Sequence, residues 1–542
     1  MHQPELSRFL AFVFFMTLLL PCVVHASEED ETYRNLVAAS RITIRDAIES
    51  LSTSTDPRTI PALEALFEDR LRRDATGRPL VLPTADATTY KDLITGESVS
   101  VEGEVERPVI NNAVRRVLLP TLAQLRLASD DSSVRMTAAK ELVKRPSPGA
   151  MDALTAAIAK ETAEDVKAAL TVALAITQLE SDESVVRVSA ITTIGESGNG
   201  NLKAKLVEIL EKDDDGKFYE EDQAVIVAAQ GALSSIESSE AWVSHVGNLL
   251  YGLSLGSILI LAALGLAITF GLMGVINMAH GEMIMLGAYG AYVVQNLFER
   301  FLPEYFDWYI LAAIPVAFCF TFIVGMIVEQ TVIRFLYGRP LETLLATWGI
   351  SLLLIQTVRL IFGAQNVEVA NPDWLSSGVE LAHGLVLPYS RIAIVFFAGL
   401  VVTLVWFLLQ KTSLGLQLRA VTQNRSMAMC MGISSSRVDM WTFGLGSGVA
   451  GLAGVALSQL GNVGPELGSA YIVDSFMVVV LGGVGKIAGS VAGGLSLGVV
   501  NKFLEPATGA VLGKILVLVF IILFIQKRPQ GMFALKGRSA EG

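Results

Sequence analysis

Hydrophobic patterning divides the chain near residue 240. Beyond it, long apolar runs recur at about 247–270, 271–297, 308–334, 341–363, 390–410, 438–461, 466–485, 488–504 and 510–526. Each run can cross roughly 30 Å of hydrocarbon, some only with tilt. The pattern predicts an all-α, polytopic membrane helical bundle of about 8–9 spans over residues 241–542. The runs at 271–297 and 466–485 are interrupted by glycines. They are expected to break or re-enter, which is tolerated only where protein or a cavity lines the backbone.

Before residue 240 the apolar positions follow helical spacing. Three segments echo one another, opening at Val134-Arg135, Val166-Lys167 and Val186-Arg187. Acids that suit a helix start precede or open each: Asp131, Asp165, and Asp182 with Glu183. Residues 27–240 are therefore expected to form a mostly helical, HEAT-like stack. Residues 76–109 instead alternate, as in Glu97-Ser98-Val99, and predict a small β-hairpin or an irregular excursion. The run Asp213-Asp214-Asp215-Gly216 lacks the ligand spacing of a calcium loop and predicts a solvated turn. At the start, Arg8, the short apolar core Phe9–Leu20 and Val24-His25-Ala26 predict a signal peptide over 1–26 that exports residues 27–240; an uncleaved anchor helix is the alternative.

Charge sharpens the division. Residues 1–240 hold 39 acids and 25 bases, and residues 241–542 hold 14 acids and 16 bases. The overall acidity thus belongs to the first part, and no basic patch points to nucleic acid. With the N-terminal part exported, nine spans would place Arg334, Arg339, Lys411, Arg419, Arg425, Arg437, Lys486, Lys527 and Arg528 on the cytoplasmic side. That distribution agrees with the positive-inside rule and puts the C-terminus in the cytoplasm. The three cysteines, Cys22, Cys319 and Cys430, leave residues 27–240 without any.

Candidate chemistry lies in the membrane half. Asn277, His280 and Glu282 interrupt an otherwise apolar or small stretch. Ionisable groups at membrane depth are costly and usually face a bundle interior or a watery path. The loop 411–437 is too polar to span, and predicts one helical patch from Leu418 to Met431 that stops at Gly432. Met427, Met429 and Met431 give that patch a soft apolar surface. Gly485-Lys486 superficially resembles a phosphate loop, but Ile487 replaces the required hydroxyl residue. No nucleophile–base pair, cofactor site or metal site emerges, so the reading is a non-catalytic one.

These residues carry a family resemblance. Asn277-Met278-Ala279-His280-Gly281-Glu282, Arg419-Ala420 with Met431-Gly432-Ile433, Leu481-Gly482-Gly483-Val484-Gly485 and Arg528-Pro529-Gln530-Gly531-Met532-Phe533 resemble the motifs of ABC importer permeases of the branched-chain amino acid type. The stretches Pro340–Ile350 and Tyr471–Val478 are similar to the first permease subunit of urea ABC transporters. The resemblance implies a second, different permease subunit, two cytoplasmic ATPases that hydrolyse ATP, and a periplasmic binding protein. It implies urea import across the inner membrane, with branched-chain or other amino acids, or a passive urea channel, as alternatives. Candidates along the path are Asn277, His280, Glu282, Glu342, Thr347, Gln356 and Asp474. Candidates for coupling to the ATPases are Arg419, Ala420, Met427, Met431, Gly432 and Ile433, although Arg419-Ala420-Val421 departs from the acidic pattern common in ABC coupling loops.

Overall fold

A computed structural model describes residues 29–83, 89–99, 105–382 and 384–533. The signal-peptide segment lies outside these residues. The chain divides into two compact units, 1–240 and 241–542.

After a helical stretch at residues 29–35, the first unit contains α1 (Arg41–Ser50) and α2 (Thr59–Phe67), followed by a four-stranded antiparallel meander: β1 (Leu71–Arg73), β2 (Pro79–Val81), β3 (Tyr90–Asp92) and β4 (Ser98–Val99). The sheet starts earlier and is larger than the hairpin expected from alternation. Three-residue strands carry too little period to read from sequence. Helices α3 (Asn112–Arg126), α4 (Ser132–Lys144), α5 (Met151–Lys160), α6 (Glu164–Gln178), α7 (Ser184–Glu196) and α8 (Lys203–Ile209) follow. Their apolar faces bury Leu142, Leu154, Leu170, Ile191 and Leu206.

Two of the three echoing segments share a structural feature. Arg135 reaches back to the carbonyls of Ser129 and Asp130 at 2.8 and 2.9 Å, and Arg187 to those of Ser181 and Asp182 at 2.9 and 3.1 Å. Each also pairs with a distant carboxylate: Arg135 with Glu161 and Arg187 with Glu220. Asp131 caps α4 by accepting from the Ser133 amide at 2.8 Å. Asp213 accepts from the Asp215 and Lys217 amides, which makes the acidic run a tight turn.

The second unit is a helical bundle. Helix α9 (Gln223–Met273) leads into it, followed by α10 (His280–Phe301), α11 (Tyr309–Thr331), α12 (Pro340–Phe362), α13 (Tyr389–Lys411), two short helices α14 (Ser413–Gln423) and α15 (Arg425–Cys430), then α16 (Ser435–Ser458), α17 (Leu467–Gly482), α18 (Ile487–Thr508) and α19 (Ala510–Lys527). A hairpin, β5 (Gly378–Ala382) with β6 (Leu385–Pro388), lies between α12 and α13. Among the described residues, seven helices are long and apolar enough to cross a membrane. Two of the nine expected spans fall outside that set: α10, which carries His280, Glu282 and Gln295, and α17. With 16 residues, α17 reaches only about 24 Å, short of the roughly 30 Å hydrocarbon thickness.

At the core is α16, buried at every residue from Thr442 to Ser458. A helix apolar on all sides belongs in a bundle interior, and small residues let its neighbours approach closely. A Cβ on Gly448 would meet the Phe318 ring of α11 at 2.6 Å. By contrast α12, α13 and α19 leave Leu360, Phe396 and Val511 exposed, as lipid-facing or partner-facing helices do.

Candidate functional site

The site begins with an interrupted helix. α9 ends at Met273, Gly274 takes a left-handed φ of 71°, and α10 starts at His280. The break frees backbone donors that lipid cannot satisfy. Side chains satisfy them here: Thr347 Oγ1 accepts from the Met278 amide at 3.1 Å, and Asn277 Oδ1 accepts from the Ala279 amide at 3.0 Å. His280 Nε2 donates to the Ala262 carbonyl at 2.8 Å and pins α10 against α9. Asn277, His280 and Thr347 are all fully buried.

Glu282 stands in the first turn of α10, where the helix dipole favours a carboxylate. It is 1% exposed. Its Oε1 accepts from Ser351 Oγ of α12 at 2.8 Å and from Ser469 Oγ of α17 at 3.4 Å. Three buried side-chain atoms within 277–282 have no protein partner: Asn277 Nδ2, His280 Nδ1 and Glu282 Oε2. Ser469 is exposed on the surface of the chain, so the Glu282 carboxylate sits behind an accessible hydroxyl. Two helices cross beside it at Gly281 and Gly468. A Cβ on Gly281 would lie 2.6 Å from the Gly468 carbonyl oxygen.

The fold brings Asn277, His280, Glu282 and Thr347 together and leaves the other path candidates outside the cluster. Glu342 is exposed and pairs with Arg339 at 3.1 Å, three residues earlier. Gln356 is exposed on α12. Asp474 pairs with Lys514 of α19 at 3.1 Å. Ser351 and Ser469 were not anticipated. Ser351 lies four residues after Thr347, one helical turn along the same face, and that spacing was a usable signal.

The loop between α13 and α16 also departs from expectation. The single helix over 418–431 is two helices, because Asn424 breaks it and caps α15 by accepting from the Met427 amide at 2.9 Å. Asn competes for backbone amides in this way and favours helix starts. Arg419 donates to the Leu409 carbonyl at 2.5 Å, closing the end of α13. Ala420 is half-buried, Met427 and Met431 are 61% and 77% exposed, and Gly432 takes a φ of 84° before the half-buried Ile433. Thr422 Oγ1 reaches the Leu272 carbonyl at 3.0 Å, two residues before Gly274. Two further motifs meet at the end of α17: the Met532 amide donates to Leu481 and the Phe533 amide to Gly482, at 2.9 and 3.2 Å.

Residues 248–525 match the family described as branched-chain amino acid transport system / permease component. The chain is 30% identical over 294 residues to the high-affinity branched-chain amino acid transport system permease protein BraD of Pseudomonas aeruginosa, which covers 53% of this chain and 95% of that protein. It is 27% identical over 306 residues to LivH of Escherichia coli, covering 54% and 97%. A probable branched-chain amino acid transport permease of Methanocaldococcus jannaschii is 28% identical over 295 residues, covering 51% and 88%. The family match leaves the first unit uncovered. With its apolar helices, its broken span and this match together, the chain is a multi-pass membrane protein that belongs to the branched-chain amino acid transport permease family.

Proposed function

We propose that this chain is one permease half of an ATP-driven importer for urea, in the urea-transport branch of its family. The observation that carries the reading is Glu282: a buried carboxylate with one oxygen held by serine hydroxyls, the other unpartnered, and no ion pair to it among the described residues. Urea is neutral, donates through both nitrogens and accepts at its carbonyl. Glu282 Oε2 would accept an N–H, and Asn277 Nδ2 would donate to the carbonyl. A zwitterionic amino acid needs a base as well as an acid. His280 and Thr347 hold the broken helix in place around these two groups.

The exposed Ser469 supports a path along a face that a second, different permease subunit closes. Two ATPases on the cytoplasmic side would engage the loop 411–437 through Met427 and Met431, and a periplasmic binding protein would deliver solute. The basic loops support a cytoplasmic C-terminus, and the apolar start of the chain supports export of residues 27–240. Net import then requires ATP to change the relative stability of two conformations, since solute binding to one state alone drives nothing.

A second reading is favoured by the printed names of BraD and LivH, which are transporters of branched-chain amino acids. The test is the assembled complex in vesicles with labelled urea and labelled leucine in separate assays. ATP-dependent urea uptake that leucine does not inhibit is expected. Leucine uptake without urea uptake would establish the second reading. Urea flux of equal rate without ATP would make the protein a passive channel.

A further inference from the structure

Apart from the broken helix, a group of buried ionisable side chains lies where α15 meets the bundle. Arg425 is the first residue of α15. Its guanidinium pairs with Asp439 in the first part of α16 and lies over the Tyr337 ring at 4.6 Å. The Tyr337 hydroxyl donates to Glu329 Oε1, near the end of α11, at 3.2 Å. Glu329 is 0% and Asp439 2% exposed, while the Arg425 side chain is 41% exposed. Arg425 therefore joins an exposed helix directly to the buried Asp439 on α16 and, through the Tyr337 ring, to the buried Glu329 on α11. Burial pushes the Tyr337 phenol up from its ordinary value.

α15 has little else to hold it. It is six residues long and buries only Ala428, while Met427, Met429 and Met431 face outward at 61%, 50% and 77% exposure. Short helices gain little from their own backbone and depend on tertiary contacts. Arginine suits this task because its planar fork can pair with a carboxylate while its face stacks on an aromatic ring; lysine offers only a point charge.

We propose that Arg425 is a positioning residue, the strut through which displacement of α15 by a soluble partner on its methionine face is passed to α11 and α16. The inference rests on the permease reading above. Without the Arg425–Asp439–Tyr337 junction, α15 can move while α11 and α16 stay where they are. The partner's hydrolysis would then continue without transport.

The experiment uses the full complex with its ATPases and binding protein in vesicles, and reads solute uptake and ATP hydrolysis together. R425A and D439N are expected to lower uptake per ATP by about tenfold, within the range of measured coupling energies, while hydrolysis itself persists. R425K should fall between R425A and the wild type, and the exchange R425D with D439R should recover part of the ratio. Y337F, which keeps the ring and removes only the bond to Glu329, should lower it least. Unchanged uptake per ATP in R425A overturns the proposal. So does a parallel loss of uptake and hydrolysis in R425K with no recovery in the exchange variant, since a structural role alone predicts that outcome. Failure of the wild-type complex to import with ATP would instead overturn the permease reading, and is visible before any variant is compared.

Discussion

Replacing Glu282 by Gln tests the site with little change in shape. The amide oxygen can still accept from Ser351 Oγ, now 2.8 Å from the carboxylate, so the tie between α10 and α12 is kept. The other position changes from a charged acceptor to a donor. That position is Oε2, which no protein atom engages. A solute N–H arriving there would meet another N–H. Hydrogen bonds to charged groups contribute about 1.5–3 kcal/mol, and each 1.4 kcal/mol is about tenfold, so the transport rate should fall by roughly ten- to a hundredfold. Labelled urea uptake by the assembled complex, at saturating binding protein and ATP, measures this directly. Ser351→Ala removes a neutral partner worth about 0.5–1.5 kcal/mol and should cost only a few-fold. Glu282→Ala is less informative, because it also strands a buried hydroxyl and opens a cavity. If Glu282→Gln assembles normally and imports within twofold of the wild type, the carboxylate does not touch the solute and the site has been misassigned.

Three further outcomes are expected. The Arg135 guanidinium holds the Glu161 carboxyl down to about 2, so its stabilising contribution is present above the ordinary value of 4.5 and is lost as pH falls from there through about 2; amide protection factors around residues 129–163, taken against the intrinsic exchange rate at each pH, should fall over that window, and Glu161→Gln should flatten the pH response. Gly281→Ala forces a carbon against the Gly468 backbone, which cannot rotate away; overpacking of this kind costs about 1–3 kcal/mol and should lower the melting temperature of the purified complex, whereas Gly349→Ala, with open space around it, should not. Asp474→Asn or Lys514→Met alone leaves an unpaired charge within the spans, so each single variant should yield less folded protein than the double variant; additive losses in membrane yield would show that the pair is not coupled.

The apolar runs made the bundle legible, because lipid demands long uninterrupted hydrophobicity and the period is hard to mistake. The polar break was legible for the same reason: Asn277, His280 and Glu282 stand out where polarity is costly. Glu329 and Asp439 were equally anomalous within their apolar runs, and the same argument applied to them would have found the Arg425 junction. What stayed hidden depends on distance in sequence. Nothing local to Asp474 announces Lys514, forty residues away. Ser469 looks like any other serine until α17 is packed beside α10. Asn424 is different, since its break of the expected 418–431 helix is a local matter: a side chain that can bond its own downstream amide competes with the helix, and the apolar pattern across it masked that competition.

The break between α9 and α10 holds the strongest argument for function. A helix interrupted at membrane depth must find new partners for its backbone, and here Thr347, Asn277 and the turn itself supply them. His280 adds a tie back to Ala262. Those bonds are enough to hold a structural kink. They do not account for Glu282 Oε2 and Asn277 Nδ2, an acceptor and a donor left without partners. A kink with only a structural role would be more stable if these two groups bonded each other or were replaced by apolar ones, because an unpaired buried polar group costs about 1–3 kcal/mol. Under the proposed function, the arrangement forgoes that stability and keeps its hydrogen-bonding capacity for the solute. Thr422, bonded to the Leu272 carbonyl just before the break, gives the exposed loop a direct hold on the same segment.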